Sequence, residues 1–94
     1  MVNLLVQHTV EDFGNWKTVF DDHAAMRKVA GCTGGEVYQN AENPNEVVIR
    51  FSWDSAAHAR EFANSADLRE AMKRAGVLGP PKITILGEAQ PVTR

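Results

Sequence analysis

His23 and Arg27 stand four residues apart in a segment whose apolar residues recur with a helical period, a spacing that sets the two side chains one turn apart on one face. The same arc carries Phe13, Trp16, Val19, Phe20, Ala24, Met26 and Ala30, while Lys17, Asp21, Asp22, Ala25 and Lys28 occupy the outer side. A soluble helix offers an arginine many solvated positions. One placed between Trp16, Phe20 and Ala24 points either to a buried ion pair or to a polar patch in a cavity. His8 is a third such case, because it interrupts the apolar alternation of its own segment. Brought together, an imidazole would take a proton from an acidic C–H or a phenol. The guanidinium would then stabilise the oxyanion that results, in a water-poor site where such help is strongest. Each residue also has a structural reading: His8 bonded to backbone in the core, His23 packed at the arc's edge, Arg27 reaching past the rim or pairing with a carboxylate.

The aromatic residues Trp16, Phe20, Phe51, Trp53 and Phe62 are core material first. Two tryptophans in a chain of 94 residues are nonetheless hard to bury fully with a partner for each indole N–H. Lining a pocket for a small, flat, hydrophobic or aromatic ligand would meet that need. Ala56, Ala59, Ala63 and Ala66 form a stripe of small residues beside Phe62, which serves either close packing or room for a ligand.

The elements that would position these residues follow from periodicity and punctuation. Residues 3–10 alternate as a strand, Asp12 caps a helix over 13–30, and Gly31 ends it. Strands are expected at 34–40 and 46–53, joined by a turn over Ala41-Glu42-Asn43-Pro44-Asn45. Asp54-Ser55 open a helix over 56–65, a second follows over 66–75, and Gly76 stops it. Gly79-Pro80-Pro81 reads as a turn before a last strand over 82–88. The order β-α-β-β-α-β predicts one α+β domain over residues 1–94, a ferredoxin-like fold with a four-stranded antiparallel sheet and helices on one face. Val2, Leu4, Val6, His8 and Val10, with Val47, Ile49, Phe51 and Trp53, are expected to face the helices. The opposite face keeps Leu5, Val48 and Leu86 among polar residues, and Tyr38 falls on it too. That mixture suits a homodimer paired sheet on sheet through the open face.

Composition removes several functions. Ten basic residues against twelve acidic ones give a net charge of −2, and the basic residues are scattered, so neither nucleic acid nor a membrane surface is an expected partner. No apolar run is long enough to span a bilayer, and the N-terminal segment lacks a basic start, so a cytoplasmic location is expected. One cysteine, Cys32, excludes an internal disulfide framework. His8, His23 and His58 lack metal-ligand spacing, and the glycines at 31, 34 and 35 precede a strand instead of a helix. The site is therefore expected to work with no metal and no cofactor.

The run from His8 through Trp16-Lys17 to Phe20-Asp21, with His23 and Arg27, resembles the antibiotic-biosynthesis-monooxygenase-like family of the dimeric α+β barrel superfamily. Asn43-Pro44-Asn45-Glu46-Val47-Val48 and Ala75-Gly76-Val77-Leu78-Gly79-Pro80-Pro81 are similar to it as well, and the likeness covers about residues 3–88. The resemblance implies a dimer and a ligand cavity between sheet and helices. It covers cofactor-independent quinone-forming monooxygenases, polyketide cyclases, muconolactone isomerases and haem-degrading enzymes. His8 matches the first-strand histidine that some of the cyclases use as a base, without the tyrosine and second histidine that accompany it there. Two outcomes of one deprotonation stay open: attack of the carbanion on O₂, a monooxygenation, or on an internal carbonyl, a cyclisation or isomerisation. A third reading is a dimer that binds a small molecule, or only itself, without catalysis.

Overall fold

The computed structural model describes residues 2–94. Strand β1 (Val2–Val10) is followed by helices α1 (Phe13–Asp22) and α2 (Ala24–Ala30), then by β2 (Cys32–Asn40) and β3 (Asn43–Trp53). Helices α3 (Ala56–Ala63) and α4 (Ala66–Arg74) lead into β4 (Val77–Leu86). The four strands form one sheet in the order β2-β3-β1-β4, with every neighbouring pair antiparallel. This is the ferredoxin-like α+β fold expected from the order of elements.

Alternation decides which side of the sheet holds the core. Leu4, Val6 and Val10 of β1 are buried with Val47, Ile49, Phe51 and Trp53 of β3, and the helices close over them with Trp16, Ala59, Phe62 and Ala71. The intervening residues Leu5, Val48 and Arg50 stay half-buried on the other face, as their alternation predicts. There Arg50 is fixed by two bonds to the Glu36 carboxylate, at 2.8 and 2.6 Å, and by Asn3 and Ser52.

The caps at Asp12 and Ser55 form as read, and Ser65 supplies one for α4 that the sequence reading does not name. Asp12 accepts from the Asn15 N–H at 2.9 Å, Ser55 from His58 and Ser65 from Leu68. Gly31 ends α2 at φ 119°, the left-handed region in which a side chain would be strained. Gly35 is constrained more tightly: at φ 152°, an added Cβ would collide with the Arg50 carbonyl of β3. Gly35→Ala is expected to destabilise the fold by about 3 kcal/mol, combining overpacking with backbone strain, and a urea melt would measure it.

Three boundaries differ from expectation by more than two residues. The helix expected over 13–30 bends at His23, whose N–H is shared between the carbonyls of Val19 at 3.1 Å and Phe20 at 3.2 Å, tightening that turn. The bend changes the phase of the apolar face, so Ala24 and Met26, placed by periodicity in the buried arc, are exposed. The turn between β2 and β3 shrinks to residues 41–42, and Pro44 lies within β3. Asn40 and Asn43 make that tight turn possible by accepting from the backbone N–H groups of Glu42 and Asn45. The last strand starts at Val77, not 82, and the expected Gly79-Pro80-Pro81 turn is an irregular stretch inside it. Its register passes from Gln7↔Lys82 to Thr9↔Leu78, which sets residues 79–81 opposite His8 alone. An edge strand at a bulge tolerates prolines because no ladder bond needs their missing N–H.

Candidate functional site

Between the sheet and the helices lies a cavity of about 40 Å³. His8 reaches it from β1, Trp16 and Phe20 from α1, His23 from the bend, Arg27 from α2, Phe51 from β3 and Phe62 from α3. Seven of the eight residues singled out from the sequence thus share one space. Trp53 does not. It is fully buried beneath the cavity, with its ring 4.9 Å from Phe62 and its indole N–H lacking a hydrogen-bond partner. Trp53→Phe is therefore expected to leave ligand binding unchanged and to alter stability by less than about 2 kcal/mol, since the lost volume is offset by removal of an orphaned donor. Calorimetric melting beside a binding titration checks both.

Helix α4 is a wall of the site that was not among the expected pocket elements. Leu68, Ala71, Met72 and Ala75 line the cavity. The pairs Leu68/Met72 and Ala71/Ala75, each four residues apart, were the signal that could have shown it.

The rings form a ladder. His8 meets Trp16 edge-on at 5.6 Å, Trp16 stacks on Phe20 at 4.7 Å, and the Arg27 guanidinium carbon lies 3.9 Å from the Phe20 ring centre. His8 and Arg27 thus sit at opposite ends of a stacked aromatic pair, a base at one end and a cation at the other.

Their electrostatics differ in kind. Both ring nitrogens of His8 are buried and neither has a hydrogen-bond partner. Burial lowers its pKa from 6.5 to about 4, so the ring is neutral at pH 7 and both nitrogens are uncommitted. Arg27 is 8% exposed, and its Nη1 donates to the Phe20 carbonyl at 2.8 Å. Among the described residues, no carboxylate lies within ion-pair distance of it. Burial lowers its pKa as well, against the opposing pull of Cys32 and Asp21. His23 is lowered by burial and then by Arg27 and Arg74, while Asp67 opposes them. Its ring lies 6.2 Å from Phe62 and forms part of the wall.

The site can therefore accept a proton at His8 and receive negative charge at Arg27. Among the described residues, no cluster of three or more His, Cys, Asp or Glu side chains is placed to hold a metal ion. His58 pairs with Asp54 at 2.8 Å on the exterior, away from the cavity. No helix of the described residues is long and apolar enough to cross a membrane.

The family model described as antibiotic biosynthesis monooxygenase matches residues 3–74 of this chain. No curated protein matches the sequence. Among solved structures, a provisionally named antibiotic biosynthesis monooxygenase from Bordetella bronchiseptica superposes with a TM-score of 0.80 at 17% identity, covering 95% of this chain and 97% of that one. SnoaB, a cofactor-independent oxygenase from Streptomyces nogalater, superposes with a TM-score of 0.77 at 14% identity, covering 99% and 97%. At such identities these structures establish a shared fold.

Proposed function

The chain belongs to the antibiotic biosynthesis monooxygenase family, and from that premise we propose that it is a monooxygenase-like enzyme acting on a small aromatic or polyketide-type molecule by proton abstraction in the sheet–helix cavity. The observation that carries this reading is the state of His8: neutral, lining the cavity, with both ring nitrogens buried and neither bonded to any protein group. A histidine kept only for structure would spend those nitrogens on backbone or side-chain partners, because an unmade buried hydrogen bond is costly. Left free, they are available to a substrate.

In this reading His8 takes a proton from an acidic C–H or a phenol of the substrate. The imidazolium that forms has no carboxylate to balance it, so the anion created beside it does so. A conjugated anion lying along the Trp16–Phe20 pair carries its charge toward Arg27, which stabilises it from the far end. The electron-rich substrate then reduces O₂: one oxygen atom enters the ring as a carbonyl and the other leaves as water, the substrate supplying the electrons. The chain's own groups supply the proton transfer and the charge stabilisation, and the rings exclude water.

The cyclase outcome begins with the same proton transfer but consumes no oxygen. Incubating the protein with anthrones, hydroquinones and dihydroxynaphthalenes, with and without air, separates the two by product mass. The expected result is a product that has gained one oxygen atom and lost two hydrogens, formed only in air. Conversion that is unchanged under argon would assign the site to cyclisation or isomerisation instead.

The small volume of the cavity favours a third reading, an inert dimer with an internal polar network. That network is not formed, however, since His8 bonds to neither His23 nor Arg27. A homodimer remains part of the proposal. The open sheet face presents Leu5, Val48, Leu86 and Tyr38 around the ordered Arg50–Glu36 pair, a surface suited to a second copy. Sedimentation is expected to give about twice the 10.4 kDa of one chain; a mass of one chain would remove the dimer.

A further inference from the structure

About 40 Å³ holds a few water molecules and no aromatic ring, so the substrate of the reaction proposed above must occupy more than the inner cavity. Beside it, over the helix-facing side of β2 and β3, lies an open groove of about 430 Å³, within the size range of small-molecule sites. Phe20, Arg27, Ile49 and Phe51 line both spaces. Ile49 and Phe51 belong to the sheet, so the partition that can move is Arg27 stacked on Phe20.

The groove is built low on the other side. In register, Gly35 stands opposite Phe51 and Val37 opposite Ile49, and a Cβ added at Gly34 would meet nothing within 4 Å. Its charges are matched except at one point. Lys17 is held by Asp21 at 2.7 Å, and Glu36 is held by Arg50. Arg27 alone has no counter-charge within reach, although it is more than nine-tenths buried. A buried cation facing an open groove is what an anionic ligand would complete.

We infer that the substrate is an elongated, planar aromatic anion that enters over Gly34–Gly35, its reactive edge directed past Phe20 toward His8 and its carboxylate or acidic phenolate held by Arg27 at the mouth of the groove. This deepens the function proposed above and rests on it for the reaction, but it is a statement about binding. It names the chemical class and its orientation. The guanidinium stays on the Phe20 ring or swings aside with the incoming anion, and its Nε, its Nη2 and the second N–H of Nη1 are the donors left for that anion, because one N–H of Nη1 is engaged by the Phe20 carbonyl.

The test is a binding measurement under argon, which turnover cannot influence. Fluorescence polarisation of an anthracene carboxylate is compared with that of its neutral carboxamide. The carboxylate is expected to bind at least about tenfold more tightly to the wild-type protein, and Arg27→Met is expected to bring the two within about twofold. Val37→Trp, which fills the groove and leaves the inner cavity untouched, is expected to weaken both by about tenfold or more. Because that variant can also disturb the edge strand, a second readout uses the native chain. Cys32 lines the groove, and bound carboxylate should slow its alkylation by iodoacetamide. Equal affinity for acid and amide in the wild type would overturn the anion assignment. Unchanged Cys32 alkylation at saturating ligand would overturn the groove. Either result would leave the oxygen chemistry of the inner cavity to stand or fall on its own test.

Discussion

His8→Leu is expected to lower turnover by about 10²- to 10⁴-fold, the usual contribution of a positioned general base, while leaving the protein at least as stable as before. The two effects part company because the ring contributes nothing to the fold that leucine cannot supply. It packs against Trp16 at 5.6 Å, but both its nitrogens are buried without partners, and removing such groups is expected to raise stability by about 1 kcal/mol. A residue with a structural role would show the reverse pattern, losing stability first and activity only as a consequence. The pH dependence carries the same signature. In the proposed reaction His8 must be neutral, and its pKa is lowered to about 4. Turnover should therefore stay level as pH falls from 8 to 5 and decline only below that, where an ordinary histidine would already fail near 6.5. Stability follows linkage in the same direction. Above about 6.5 neither state binds the proton. As pH falls from 6.5 through 4, the unfolded chain takes it up before the folded one, and stability is lost. The loss is about 2 kcal/mol once the shift is discounted for the ring's partial exposure. His8→Leu should flatten that part of the stability curve, leaving a smaller slope from His23, whose pKa is lowered too. Melting temperatures and initial rates across the range measure both.

Arg27→Met is expected to lower turnover by about 10²- to 10³-fold, the cost of removing one well-placed donor to a developing oxyanion, with stability unchanged or raised by roughly 1 kcal/mol. The second half follows from its surroundings. A buried cation with one backbone oxygen and no carboxylate gains little from its charge, and an apolar side chain of similar volume fills the same space more cheaply. Arg27→Lys should not rescue activity. The planar guanidinium both stacks on Phe20 at 3.9 Å and donates to its carbonyl, and an ammonium can do one of these only poorly. Rates at saturating substrate, read beside thermal melts of all three proteins, separate loss of chemistry from loss of fold.

The order of strands and helices, the buried face of the sheet and the pairing of His23 with Arg27 are legible in the residues because each rests on short-range periodicity, whereas the meeting of His8 with that pair is decided by the fold. Alternation over 3–10 and 46–53 identifies the helix-facing set, and a four-residue spacing pairs His23 with Arg27. Where a tertiary contact decides, the sequence was silent. The bend at His23 has neither proline nor glycine to announce it, so periodicity assigns Met26 to the core while the structure leaves it 47% exposed. Gly79-Pro80-Pro81 carries the composition of a turn, and only its pairing with the far end of β1 makes it a bulge in an edge strand. The need of an indole N–H for a partner points to Trp53 as a pocket residue; the fold instead buries it unpartnered behind Phe62. The spacing of Leu68/Met72 and Ala71/Ala75 marks the inward face of α4, but which part of the wall that face builds depends on how the helix is set against the sheet.

In the proposed reaction His8 draws a proton from an aromatic substrate, which then reacts with oxygen. The most direct test is oxygen consumption, measured with an electrode in the presence of a strong chelator, by the wild-type protein and by His8→Leu on the same dihydroxyaromatic substrate. The expected result is uptake that requires the wild-type protein, with one oxygen molecule consumed per molecule of quinone formed, and a fall to the uncatalysed rate in the variant. Uptake by His8→Leu equal to that of the wild type would contradict the account.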